Sequence, residues 1–171
     1  QSVYHEIILA GQGDRVASNE APEAQLLLTK ALEASVAPGS KEPFELRMGL
    51  ATALASAKAP EMAHALAASL TRHGASATQF ERMLSVVSRE LENLGPVGLA
   101  AVARGLQDGN DDLKVGLICA SDRRGWPMET QTARGLLAAK QAGVRRAAVM
   151  ALVGRLRNTE LAADLAKLIA D

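Results

Sequence analysis

A nine-residue pattern of apolar and small residues recurs four times along this chain. The copies are residues 46–54 (LRMGLATAL), 80–88 (FERMLSVVS), 113–121 (LKVGLICAS) and 144–152 (VRRAAVMAL). Their first residues are separated by 34, 33 and 31 positions. Apolar residues occupy the first, fifth and often the ninth position of each copy, which is the stripe of one helix face. The pattern predicts four amphipathic helices at nearly constant spacing.

A second set of Leu- and Ala-rich segments alternates with these copies. The segments are residues 60–72, 96–107, 127–141 and 159–170, and three of the four begin with proline. Proline at the first helical position costs no intrahelical hydrogen bond and is preorganised for a helix start. Paired helices repeating every 31 to 34 residues are typical of a helical solenoid, in which each pair buries its apolar stripe against its neighbours.

The alternation of helical segments is less regular in the first part of the chain. Residues 2–10 (SVYHEIILA) predict a short helix, and residues 11–19 predict the longest loop. A helix is then expected from near Pro22 to about Val36. Further along, residues 78–94 are expected to form the helix that follows a stop at Gly74, with Ser76 or Thr78 as its N-cap.

Together these elements predict an all-α fold, a right-handed α-solenoid of about four to five antiparallel helix hairpins. Composition agrees, because Ala and Leu are the best helix formers, aromatic residues make up only 2% of the chain and β-branched runs are absent. The start at Gln1 instead of methionine favours a processed chain or part of a larger protein. We expect one domain, residues 1–171, divided approximately into 1–19 (a partial cap), 20–58, 60–94, 96–124, 127–157 and 159–171 (a terminal helix).

Two stretches resemble a known repeat family. Residues 99–121 (LAAVARGLQDGNDDLKVGLICAS) and 133–156 (ARGLLAAKQAGVRRAAVMALVGRL) are similar to HEAT-type repeats of the armadillo/HEAT superfamily. In that superfamily the second helix of each pair opens with an aspartate-rich turn and a Val-Arg or Leu-Lys pair. The matching positions are Asp108, Asp112, Leu113 and Lys114 in one unit, and Val144 and Arg145 in the other.

The resemblance covers roughly residues 96–170 and weakens before residue 60. The acidic turn is replaced by Gln-Ala-Gly at residues 141–143. A generic array of armadillo or tetratricopeptide shape stays open as an alternative, although the tetratricopeptide Trp/Gly/Tyr pattern is absent. The family resemblance implies a scaffold that binds other proteins along a curved surface.

Candidate chemistry is sparse in this sequence. His5, His64 and His73 are scattered singly, without the spacing of a zinc site. Cys119 is the only cysteine and lies among apolar residues of a repeat helix, where a small core residue is expected. The acidic run 108–112 is expected to be a helix-capping turn, because Cys119 stands where a calcium loop places its bidentate glutamate. We therefore predict no catalytic residues, no metal site and no cofactor, and hence no enzyme.

Charge is balanced over the whole chain, with 19 basic and 19 acidic residues, but not locally. Between residues 123 and 157, Glu129 is the single acid among eight basic residues. The candidate binding surface predicted from this cluster and the only tryptophan is Arg123, Arg124, Trp126, Arg134, Arg145, Arg146, Arg155 and Arg157. The alternative is structural: arginines bond the last carbonyls of helices or cover apolar surface, and Trp126 fills the seam between two units.

Two functions stay open on the sequence. One is a non-catalytic scaffold that binds a protein partner or docks onto a neighbouring domain of its own chain. The other is binding of an anionic ligand, such as nucleic acid or an acidic or phosphorylated protein, by the arginine-rich repeats. Residues 1–85 hold seven basic and nine acidic residues, which argues against a long nucleic-acid track. No apolar run approaches the roughly 18 residues of a membrane span, and cytoplasm is only the default compartment.

Overall fold

The computed structural model describes residues 22–37, 39–57, 60–72 and 74–153, together with 162, 163 and 166. This part of the chain is all-α, with eight α-helices, one short 3-10 helix and no strand. The expected helix at 2–10, the loop at 11–19, the cap unit 1–19 and most of the expected helix at 159–170 lie outside the described residues.

The helices follow one another with short connections. In chain order they are α1 (Pro22–Val36), α2 (Phe44–Ala57), the 3-10 helix (Pro60–Met62), α3 (Ala63–Ala68), α4 (Ala77–Asn93), α5 (Pro96–Asp108), α6 (Asp111–Arg124), α7 (Thr130–Leu137) and α8 (Ala142–Val153). The four copies of the nine-residue pattern lie inside α2, α4, α6 and α8. The four helices expected from the pattern are therefore confirmed.

Helix ends are set by local side chains and glycines. At the start of α4, the Ser76 hydroxyl accepts from the Gln79 N–H at 3.3 Å, and the Gln79 side chain accepts from the Ser76 N–H at 2.8 Å. This reciprocal capping box satisfies two N–H groups that the first turn leaves open. At the start of α6, Asn110 Oδ1 accepts from the Leu113 N–H at 2.9 Å. The capping role expected of the acidic turn is thereby confirmed.

Two of the intervening helices are shorter than the sequence predicts. The segment expected as a helix over 60–72 has a 3-10 turn followed by α3, which ends at Ala68. Beyond it the chain turns, and the Leu70 carbonyl is directed onto α6 at Gly116 instead of continuing the helix.

The segment expected as a helix over 127–141 contains only α7. Gly125 ends α6 in the left-handed conformation (φ 69°), and the Trp126 N–H bonds back to the Ser121 carbonyl at 3.0 Å. Because Trp126 precedes a proline, it favours extended backbone, and residues 126–129 are not helical. Helix α7 starts only at Thr130.

Packing joins helices that are neighbours or next neighbours in the chain. Consecutive helices pack as α1 with α2, α2 with α3, α3 with α4, α4 with α5, α5 with α6, and α7 with α8. Next neighbours also pack, as α2–α4, α4–α6 and α6–α8 on the one hand, and α1–α3 and α3–α5 on the other. Each apolar stripe is thereby covered by helices on more than one side.

The core is built from leucine and alanine with few aromatic rings. Leu50, Leu84, Leu117 and Ala148, which occupy the fifth position of the four pattern copies, are all at most 2% exposed. A small-residue core requires close helix approach. Gly116 provides one such approach, because a Cβ atom there would overlap the carbonyl oxygen of Leu70.

A candidate interaction groove between α6 and α8

An open groove of about 720 Å³ lies between α6 and α8. Its apolar lining includes Val115 and Ile118 of α6 and Ala147, Met150 and Ala151 of α8. Met150 and Ala151 lie three and four positions after Ala147, so all three are on one side of that helix. Met150 is 71% exposed, so one of the apolar side chains that line the groove is largely accessible to solvent.

Four charged side chains border this groove. Arg72 follows α3, Asp112 and Asp122 lie in the first and last turns of α6, and Arg146 lies on α8. The two aspartates are ten residues apart, which corresponds to about 15 Å along a helix. All four residues are exposed. The groove therefore combines an apolar lining with two positive and two negative side chains at its border, whose formal charges sum to zero.

Cys119 lines the same groove and is partly buried. Burial raises the pKa of its thiol above the ordinary value, and the carboxylates of Glu81 and Asp122 act in the same direction. The guanidinium groups of Arg72 and Arg123 oppose that rise. The thiol is consequently held in its neutral, weakly nucleophilic form at neutral pH.

Two of the candidate arginines form ion pairs within the chain. Arg123 pairs with the Glu81 carboxylate and also donates to the Glu81 carbonyl oxygen at 3.4 Å. Arg124 pairs with the Glu92 carboxylate. Both acids belong to α4, so these pairs connect α6 to α4. Two of the eight basic residues counted in this stretch of sequence are therefore balanced by acids from an earlier part of the chain.

The remaining candidate arginines lie in different surroundings. Arg145 donates from Nη1 to the carbonyl oxygens of Ala139 and Lys140, at 2.8 Å each, and so bonds carbonyls in the turn after α7. Arg134 is exposed in the last turn of α7, and Arg146 is exposed in the groove. Arg155 and Arg157 lie outside the described residues.

Trp126 is buried, with 4% of its surface exposed. It lines a second, more apolar groove of about 350 Å³ together with Leu99, Val102 and Leu106 of α5 and Met128. In this position the indole fills space between α5 and the segment that leads into α7. The structure thus places Trp126 away from Arg146 and the first groove.

Arg47 is a buried charged residue that was not singled out from the sequence. It is 4% exposed, and its guanidinium carbon lies 4.9 Å from the centroid of the Phe44 ring. Burial lowers the pKa of Arg47, and the charge of Asp112 partly offsets that effect. The sequence signal for this contact is the spacing Phe-x-x-Arg at residues 44–47. Residues three apart share a helix face, so the ring and the guanidinium group are neighbours.

Comparison of the chain with protein-family models, curated proteins and solved structures finds no match. Within the described ranges, no three His, Cys, Asp or Glu side chains form a group that could hold a metal ion. No helix in that same part of the chain has the length and hydropathy that a bilayer crossing requires.

Proposed function

We propose that this chain is a HEAT-like α-solenoid of antiparallel helix hairpins that acts as a non-catalytic scaffold. It binds a protein surface, either a separate partner or a neighbouring domain, through the groove between α6 and α8. The observation that carries the proposal is the groove itself, which presents an exposed methionine between charges of both signs.

The order of helix packing supports the solenoid. The pairs α1–α2, α3–α4, α5–α6 and α7–α8 each pack together and correspond to four hairpins, while α2–α3 and α4–α5 pack between successive hairpins. The even-numbered helices pack in succession from α2 to α8, as expected when hairpins stack so that each contacts its neighbours. The 31- to 34-residue spacing of the sequence pattern is the distance between these successive helices.

The chemistry of the groove favours a protein ligand over an anion. A protein segment can supply an apolar side chain for Met150 and Val115, and charged groups of both signs for Arg146 and Asp112. A polyanion such as nucleic acid would meet the two aspartates of the groove as well as its arginines. The ion pairs of Arg123 and Arg124 further reduce the positive surface available to such a ligand.

Site-specific photocrosslinking tests this proposal. A photoreactive amino acid is introduced at Met150 and, as a matched control, at Val97, an exposed apolar residue of α5 (46% exposed) outside the groove. Each purified protein is irradiated in cell extract at low and at high salt, and adducts are identified by mass spectrometry.

We expect protein adducts from the Met150 position at both salt concentrations, and none of these adducts from the Val97 position. Adducts that disappear at high salt, or that contain nucleic acid, would favour the anion-binding alternative, since counterion release makes such binding strongly salt-dependent. Identical adducts from both positions would contradict the proposal.

A further inference from the structure

The second groove, between α5 and residues 126–132, has a buried apolar lining, and we call it the tryptophan groove. Trp126, Val102 and Leu106 line it and are each at most 5% exposed. The small side chains of Ala100 and Ala103 line it as well and are exposed, so the groove is open to solvent on that side. A lining of this kind takes up the apolar part of a ligand, because removing apolar surface from water is favourable.

The size of the tryptophan groove suits a small molecule. Sites for small organic ligands have volumes of about 300 to 1,000 Å³, and this groove of about 350 Å³ is at the lower end of that range. One turn of an α-helix, about 10 to 12 Å in diameter and about 5.4 Å long, fills about 500 Å³. The groove therefore has room for one compact ligand but not for a turn of a partner helix.

The charge of the tryptophan groove is negative. Among the described residues that line it, Glu129 is the only charged one. Glu129 is the N-cap residue of α7, but its side chain makes no capping hydrogen bond and belongs to none of the ion pairs in the described part of the chain. Its exposed carboxylate is therefore available to a ligand. Because the face of an indole ring also attracts cations, both Glu129 and Trp126 favour a positive group over a negative one.

From these features we infer that the tryptophan groove binds a small apolar molecule that carries one amino group. The hydrocarbon part of the ligand lies against Trp126, Val102 and Leu106, and its ammonium group lies at the Glu129 carboxylate. This site is separate from the groove between α6 and α8, so the inference goes beyond the proposed function and does not depend on it.

Fluorescence of Trp126 tests the site, because this residue is the only tryptophan of the chain and lines the groove. Three probes of equal chain length, octylamine, 1-octanol and octanoate, are titrated into the protein below the concentrations at which they aggregate. At neutral pH their head groups are positive, neutral and negative. We expect saturable one-to-one binding of octylamine, binding of octanol that is weaker by about threefold, as for a solvent-exposed ion pair, and still weaker binding of octanoate.

Substitutions locate the ammonium group and the hydrocarbon part of the ligand. Glu129→Gln should lower the affinity for octylamine by about threefold, to that of octanol, and leave octanol binding unchanged. Glu33→Gln, at an exposed acid of α1, is the matched control and should change neither affinity. Ala103→Phe places a ring at the edge of the groove and should abolish binding of both probes. Circular dichroism of each variant checks that it remains folded.

Absence of a saturable fluorescence change with octylamine overturns the site. Octanoate that binds as tightly as octylamine overturns the assigned charge of the ligand, as does a preference for octylamine that Glu129→Gln leaves intact. Binding that survives Ala103→Phe overturns the assigned position. Photocrosslinking at Met150 probes a different surface, so failure of the amine site and failure of the proposed scaffold function are distinguishable.

Discussion

Gly116 faces the carbonyl oxygen of Leu70 with no room between them for a methyl group. The contact joins the middle of α6 to the turn that follows α3, residues 46 positions apart in the chain. It fixes how closely these two parts of the fold approach, since the obstacle is backbone and not a flexible side chain.

Gly116→Ala is therefore expected to destabilise the chain by about 2 kcal/mol or more, because the new Cβ must displace backbone. Gly135→Ala in α7 is the matched control. A Cβ at Gly135 has open space around it, so alanine should stabilise the helix by up to about 1 kcal/mol. Urea unfolding monitored by circular dichroism measures both. Equal effects of the two substitutions would contradict the close approach at Leu70.

Leu117→Ala should cost about 2 to 5 kcal/mol of unfolding free energy, through lost burial and the cavity left behind. Leu117 is 0% exposed in the core. Leu27→Ala in α1, where the leucine is 55% exposed, should cost less than about 0.5 kcal/mol. A small cost at Leu117 in the same urea titration would mean that the apolar stripe of α6 faces solvent.

Asn110→Ala should destabilise the chain by about 1 kcal/mol, because it leaves the Leu113 N–H without its cap. Asn110→Asp should keep most of the stability, since a carboxylate oxygen accepts the same bond and suits the positive end of the helix. Thermal unfolding of both variants checks this. An alanine variant as stable as the aspartate variant would show that the cap contributes nothing.

Alkylation of Cys119 should follow a pH profile displaced upward in the folded chain. Because burial raises the thiol pKa above its ordinary value of 9.0, the folded chain should react with iodoacetamide at a higher pH than the urea-unfolded chain. The raised pKa also makes the free energy of unfolding depend on pH. The contribution of the neutral Cys119 thiol is complete below the pKa of the unfolded chain and is lost as pH rises through the pKa of the folded chain, because the unfolded chain loses the thiol proton first. Coinciding profiles for the two states would contradict the burial effect.

The helical part of the fold was predictable because its signals are local. The spacing of Leu46, Leu50 and Leu54, and its equivalents, marks one face of each helix without reference to any other segment. Ser76 followed three residues later by Gln79 is a capping-box pattern, and it likewise predicts the start of α4 from adjacent residues alone. At these positions, residues close in sequence were enough to predict the helix.

The features that the sequence did not reveal depend on contacts between distant segments. The acids that pair with Arg123 and Arg124 lie 42 and 32 positions earlier, so a count of basic residues overstates the positive surface. In the sequence, Gly116 is recognisable only as a weak helix former, because its contact with the Leu70 carbonyl exists only in the folded structure. The groove between α6 and α8 likewise exists only once the two helices are packed together.

The packing of helices on their neighbours and next neighbours also bears on how the chain folds. Contacts such as α2–α4 and α6–α8 close short loops, so the fold has the low contact order associated with rapid folding. Little loop-closure entropy is lost before each new helix gains its partner. Among the described helices, α1 and α8 can therefore each pack onto their neighbours without waiting for the other.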